Sequence, residues 1–198
     1  MRILLRIGLC LCLSIAVTDR AAAQATRPPA VQADPRLPAG DYHALVVGVS
    51  DYGQWPVLPN AVQDAREVAG LLRQNGFDVT LLTDPTALDI KAAMSKLVTD
   101  TGGRQDRSVL FYYAGHGETR VLADGTKLGW IIPRDCPLPR ESPDAFERTA
   151  ISLRAVAAYA SKIRSQHVLM LFDSSFSGEV LDLKVPTLGL PGDKTAVP

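Results

Sequence analysis

Cysteine is scarce. The 198-residue chain has three, Cys10, Cys12 and Cys136, and the first two fall inside an N-terminal apolar run. A processed chain that keeps only Cys136 has no internal disulfide framework, so packing must hold it. An excess of either charge is also missing. Lys plus Arg number 21 and Asp plus Glu 21, giving a formal net charge of zero. That balance provides no basic stripe for nucleic acid. Long apolar runs are lacking too: residues 7–17 are too few to span a bilayer as a helix. There is no G-x-x-x-x-G-K-[ST], which excludes a phosphate loop as a motif. The three histidines, His43, His116 and His167, share no metal-ligand spacing.

The N-terminus has the features of an export signal. Arg2 and Arg6 flank the start of the apolar run, and Ala21-Ala22-Ala23-Gln24-Ala25 offers small-residue cleavage sites. Residues 1–25 are expected to be a signal peptide cleaved after Ala23 or Ala25. The protein is then periplasmic or secreted, and it touches the membrane only if the segment stays uncleaved. Residues 26–41 carry four prolines and no apolar period, and read as a linker.

From residue 42 the pattern alternates. Residues 43–49 (HALVVGV) fit a buried parallel strand. A turn-rich loop covers 50–59. Asn60 is a good N-cap for a helix over 61–75, with Val62, Ala65, Val68, Ala69 and Leu72 inward and Gly76 ending it. A second strand covers 77–82. A second helix covers 87–99, with Leu88, Ala92, Met94 and Leu97 as its expected apolar face. A third strand covers 108–114. A hairpin over 119–122 and 128–132 turns at Asp124-Gly125, and a proline-containing loop covers 133–149. Ser152 caps a helix over 153–163, and a fourth strand covers 166–172. Alternation of this kind implies an α/β fold with a parallel sheet and helices on both faces. The tail after Gly178 has no convincing element, so the fourth strand should lie at an edge of the sheet.

Two strand ends carry candidate chemistry. Residues 112–117 read YYAGHG and set His116 between two glycines just past a strand. Residues 168–178 read VLMLFDSSFSG: an apolar strand, then Asp173, Ser174, Ser175 and Ser177. Reactive groups in open α/β sheets gather at the carboxyl ends of strands. A serine-hydrolase elbow needs G-x-S-x-G, and neither Ser175 nor Ser177 has the preceding glycine.

Together these motifs resemble the caspase superfamily, and its bacterial metacaspase-like branch in particular. That family shows a Y-A-G-H-G histidine motif and a D-x-C-x-S-G cysteine motif. Residues 43–52 (HALVVGVSDY) and 60–66 (NAVQDAR) resemble its first strand and first helix. The likeness runs over residues 42–180, the expected peptidase domain, with an irregular tail at 181–198. The histidine precedes the nucleophile position by roughly 60 residues, against about 50 in caspases, which a longer loop accommodates.

The resemblance implies a caspase-like three-layer sandwich with a mostly parallel sheet. It also implies cysteine-type endopeptidase chemistry after Arg or Lys. By position, His116 is the catalytic histidine and Ser175 stands where the family has its cysteine. Gly117 would offer an oxyanion-hole N–H. Asp64 and Asp173 match the acidic residues of the substrate pocket. Each also has a plainer role, Asp64 as a first-turn helix carboxylate and Asp173 as a loop cap. The resemblance allows calcium dependence, although no acidic cluster identifies a site and no other cofactor or metal is expected.

Two departures follow. A thiol ionises near pH 8.5, whereas an alcohol is nearer the roughly 15.7 of water, so serine needs a tightly placed base. The resemblance implies a sheet of six strands, of which the last two, after residue 178, are expected to be missing here. Three readings stay open. One is an impaired pseudo-peptidase that binds peptides or a regulatory partner. Another is an active endopeptidase, with Ser175 as nucleophile or as an engineered Cys→Ser form. The last is a non-enzymatic α/β module resembling response regulators. The expected partners are a polypeptide substrate or regulator and a further chain at the open sheet edge.

Overall fold

The computed structural model describes residues 42–101, 103, 105–121, 124–165 and 167–176. The expected signal, linker and tail, and with them Ser177 and Gly178, lie outside the described residues. Four parallel strands form the main sheet: β1 (Tyr42–Gly48), β2 (Asp78–Thr83), β3 (Ser108–Ala114) and β7 (His167–Asp173), in the order β2-β1-β3-β7. Three helices pack on it: α1 (Ala61–Gln74), α2 (Ala87–Thr101) and α4 (Leu153–Ala160). A small antiparallel sheet joins β4 (Gly117–Val121), β5 (Lys127–Ile131) and β6 (Ile151–Ser152), with a short helix α3 (Pro143–Thr149) before β6.

Strand alternation sorts the core into two layers. On one face Leu45, Val47, Phe111 and Tyr113 pack with Ile90 and Met94 of α2 and with Leu153 and Val156 of α4. On the other, Ala44, Val46, Leu110, Tyr112 and Ala114 meet Ala61, Ala65 and Ala69 of α1. The small residues of α1 let it lie close to the sheet. A Cβ on Gly48 would come within 2.6 Å of the Ala65 Cβ and 2.8 Å of the Ala61 carbonyl oxygen.

The helix ends explain why the chain turns where it does. Gly76 (φ +84°) donates to the Arg73 carbonyl and Phe77 to that of Leu72, a Schellman ending that needs the left-handed residue at Gly76. Thr86 and Asp89 cap α2 reciprocally. The Thr86 N–H donates to Asp89 Oδ2 at 2.9 Å, and the Asp89 N–H to Thr86 Oγ1 at 3.3 Å. Ser152 caps α4 as expected, accepting the Ala155 N–H.

Three expectations are corrected. Asn60 makes no side-chain cap; the Ser50 Oγ accepts the Val62 N–H instead and leaves the Asn60 amide free of that duty. Leu88 and Ala92 face solvent, because the stripe Ala87, Ile90, Met94 and Thr101 fits the 3.6-residue period better. The stretch 133–149 is not all loop: Pro143 starts α3, whose Phe146 is fully buried between the rings of Trp55 and Trp130. The two-residue strand β6 was also too short to register as a period.

Among the described residues β7 is an edge strand. Its Val168, Met170 and Phe172 turn toward the α2/α4 side, whereas Leu169 (51% exposed) and Leu171 (42%) remain uncovered on the α1 side.

Candidate active site

The carboxyl ends of β1, β3 and β7 meet at one edge of the sheet. The Val49 N–H donates to the Ala114 carbonyl, and the Gly115 N–H to that of Asp173 at 3.3 Å. Ser174 Oγ donates to the Gly115 carbonyl. These bonds tie the histidine loop to the loop that follows β7.

His116 is held on both sides of its main chain. Its N–H donates to the Tyr52 hydroxyl at 2.8 Å, and its carbonyl accepts from the Tyr113 hydroxyl at 2.9 Å and from the Ile132 N–H at 3.2 Å. Burial raises the pKa of Tyr52 to about 12 and pushes that of Tyr113 well above its ordinary value, so both stay protonated. The ring of His116 packs beside those of Tyr52 and Trp55. Its Nε2 lies 2.8 Å from the Pro56 carbonyl oxygen. A carbonyl only accepts, so Nε2 carries the hydrogen and Nδ1 keeps its lone pair in the neutral ring. Nδ1 is therefore the atom able to take a proton.

The loop carrying Pro56 is itself anchored. Asp84, at φ +49°, accepts the N–H groups of Ser50 and Asp51 at 2.7 and 2.9 Å through Oδ1. The Trp55 indole donates to the Pro137 carbonyl.

Both glycines of the G-H-G motif sit where a side chain would crowd a neighbour. A Cβ on Gly115 would meet the Tyr113 hydroxyl at 2.5 Å and the Tyr52 hydroxyl at 2.8 Å. A Cβ on Gly117 would meet the Phe176 ring at 2.6 Å. Gly117 opens β4 opposite Ile131. The Ile132-to-His116 bond makes the adjacent pair the hydrogen-bonded one, so the Gly117 N–H turns away from β5.

Asp64, Asp173, Ser174 and Ser175 line one cleft of about 260 Å³, with Leu58, Asn60, Ala61, Ala114 and Gly115. Asn60 and Asp64 stand one turn apart on the same face at the start of α1. Ser175 is exposed and Ser174 half-buried, its hydroxyl already donating to Gly115. His116 and Gly117 sit on the neighbouring loop, and among the described residues no hydrogen bond joins His116 to Ser175. Cys136 is elsewhere, 1% exposed, with its thiol pushed up to about 12 by burial and by Asp135. It is no alternative nucleophile.

A profile of the caspase domain matches residues 41–187. The chain belongs to the caspase family. Within it, the relatives are metacaspases. Metacaspase-1 of Mycosarcoma maydis is 29% identical over 155 residues, covering 73% of this chain and 37% of its own length. Metacaspase-1A of Aspergillus fumigatus is 34% identical over 156 residues, covering 73% of this chain and 37% of its own. Metacaspase-3 of Arabidopsis thaliana is 28% identical over 158 residues, with coverages of 74% and 42%. The chain thus spans about two-fifths of the length of these curated relatives. The crystal structure of a Geobacter sulfurreducens protein superposes with a TM-score of 0.55 at 22% identity, covering 71% of this chain and 52% of that one, which supports the fold. This is a metacaspase-like caspase domain on a parallel α/β sheet.

The sequence reading did not find the residues that hold the caspase histidine: Ser50, Tyr52, Trp55, Pro56 and Asp84. Two aromatics in a turn-rich loop just past β1, at the catalytic edge of the sheet, were the signal available.

Proposed function

We propose that this caspase domain binds polypeptide through a basic side chain and carries serine at its nucleophile position, with turnover strongly impaired or absent. The observation that carries this reading is the shared cleft, which sets Asp64 and Asp173 beside Ser175. Two carboxylates there favour the cation of Arg or Lys. Attack on the carbonyl carbon of that same basic residue would need the Ser175 proton to pass to His116 Nδ1, with the Gly117 N–H facing the oxyanion. Serine holds its proton many units more tightly than cysteine, so a histidine without a preformed bond to it is a poor base for this step.

A second reading, an active endopeptidase using Ser175, has one observation in its favour. The Ser175 side chain is exposed in the cleft, whereas the Ser174 hydroxyl is engaged. A panel of fluorogenic peptides ending in Arg, Lys, Asp or Leu, offered to the Ser175→Cys variant, tests the specificity. Cleavage after Arg and Lys alone is expected, and cleavage after Asp or Leu would contradict the acidic-cleft reading.

The N-terminal segment supports export, with the domain working in the periplasm or outside the cell. The uncovered apolar edge of β7 supports pairing with a strand from a partner polypeptide.

A further inference from the structure

Tyr112 is 8% exposed and lies on the α1 face of β3, two residues before Ala114 of the cleft wall. Its hydroxyl donates to Asp173 Oδ2 at 3.3 Å. Asp173 ends β7 and is itself exposed, and among the described residues the Tyr112 bond is the one hydrogen bond made to its carboxylate. A freely turning carboxylate attracts any cation equally well. One held in a single plane favours a guanidinium, whose rigid fork matches two carboxylate oxygens, over an ammonium, which acts as a point charge.

We propose that Tyr112 is a positioning residue for the basic-side-chain pocket, orienting Asp173 so that the cleft prefers arginine to lysine. This rests on reading the Asp64/Asp173 cleft as the pocket for a basic side chain. The Tyr112 hydroxyl suits the task. Burial, then the charge of Asp173 and its hydrogen bond, then the charge of Asp64, raise its pKa to about 12, so it remains a donor over the whole working range of pH. The Tyr112 bond takes one of the two acceptor directions of Asp173 Oδ2, so that oxygen and Oδ1 can still accept together from a guanidinium fork. Asn60, unused as a cap, adds an amide on the opposite wall.

The test is titration of the ¹⁵N-labelled chain with N-acetyl-arginine amide and with N-acetyl-lysine amide, followed by NMR shifts. The wild-type chain should bind both saturably and favour arginine. Tyr112→Phe keeps the ring and should weaken arginine amide by about 5- to 10-fold while leaving lysine amide within about 2-fold. Asp173→Asn should weaken both. A melting temperature for Tyr112→Phe within a few degrees of wild type shows that the fold is intact. Equal weakening of both ligands in Tyr112→Phe, or no change in either, overturns the assignment of Tyr112. Binding of neither ligand by the wild-type chain overturns the pocket reading itself, and the assignment with it.

Discussion

The Nε2 of His116 sits 2.8 Å from the carbonyl oxygen of Pro56, a bond that fixes which ring nitrogen is free. The loop that brings Pro56 there is tied by two N–H groups to the Asp84 carboxylate. Long-range ¹⁵N NMR should therefore find the Nε2–H tautomer of His116. In Asp84→Ala that tautomer should lose dominance, with stability down by about 1–3 kcal/mol from the two unpaired donors. A dominant Nδ1–H form in the wild-type chain would contradict this account of the histidine.

Glycine substitutions in the histidine loop should separate by what the new Cβ meets. At Gly115 it strikes hydroxyls that are locked in the Tyr52–Tyr113 network, whereas at Gly117 it strikes a single phenylalanine ring. Gly115→Ala should cost about 2–3 kcal/mol in urea denaturation and Gly117→Ala about 1. Gly48→Ala should cost the most of the three, because backbone atoms of α1 stand in the way. The reverse order would argue against this packing.

Stability should fall in alkali. Tyr52, Tyr112 and Cys136 are each raised to about 12, with burial the first cause, and burial raises Tyr113 as well. From about pH 9 to 12 the unfolded chain gives up protons that the folded chain keeps. Protons bound are then fewer in the unfolded state, so unfolding stability drops as pH rises. Melting temperature measured from pH 8 to 11 should decline steadily, and Cys136→Ala should remove the part that begins near pH 9. A flat profile would contradict the buried, protonated state of these groups.

The edge of β7 should mediate association. Leu169 and Leu171 are exposed, and among the described residues no strand pairs with the outer edge of β7. Sedimentation should show concentration-dependent self-association that Leu169→Lys with Leu171→Lys reduces without lowering the melting temperature. Unchanged association in the double variant would remove this edge from consideration.

Much of the fold was legible in the sequence because its parallel strands are short valine- and leucine-rich runs that stand out between helices. β1, β3 and β7 and the start of α1 lie close to where their patterns put them, and so does the Ser152 cap. α3 was not legible because seven residues with one buried phenylalanine have no period to detect. The inner face of α2 was legible only in part: Met94 and Leu97 turn inward, whereas Ile90, four residues before Met94, takes the place expected of Leu88. At the site, the acidic residues and the G-H-G motif could be read as a pattern. The supports of His116 could not, since Tyr52, Pro56 and Asp84 come from separate loops that only the sheet brings together.

The central claim is that Ser175 occupies the nucleophile position of a caspase domain and thereby disables it. The most direct measurement is cleavage of an arginine-terminated fluorogenic peptide by the chain as it stands, beside Ser175→Cys and His116→Ala. The account predicts no turnover by the wild-type chain or by His116→Ala, and measurable thiol-dependent turnover by Ser175→Cys. Robust cleavage by the wild-type chain that disappears in His116→Ala would contradict it and make Ser175 a working nucleophile.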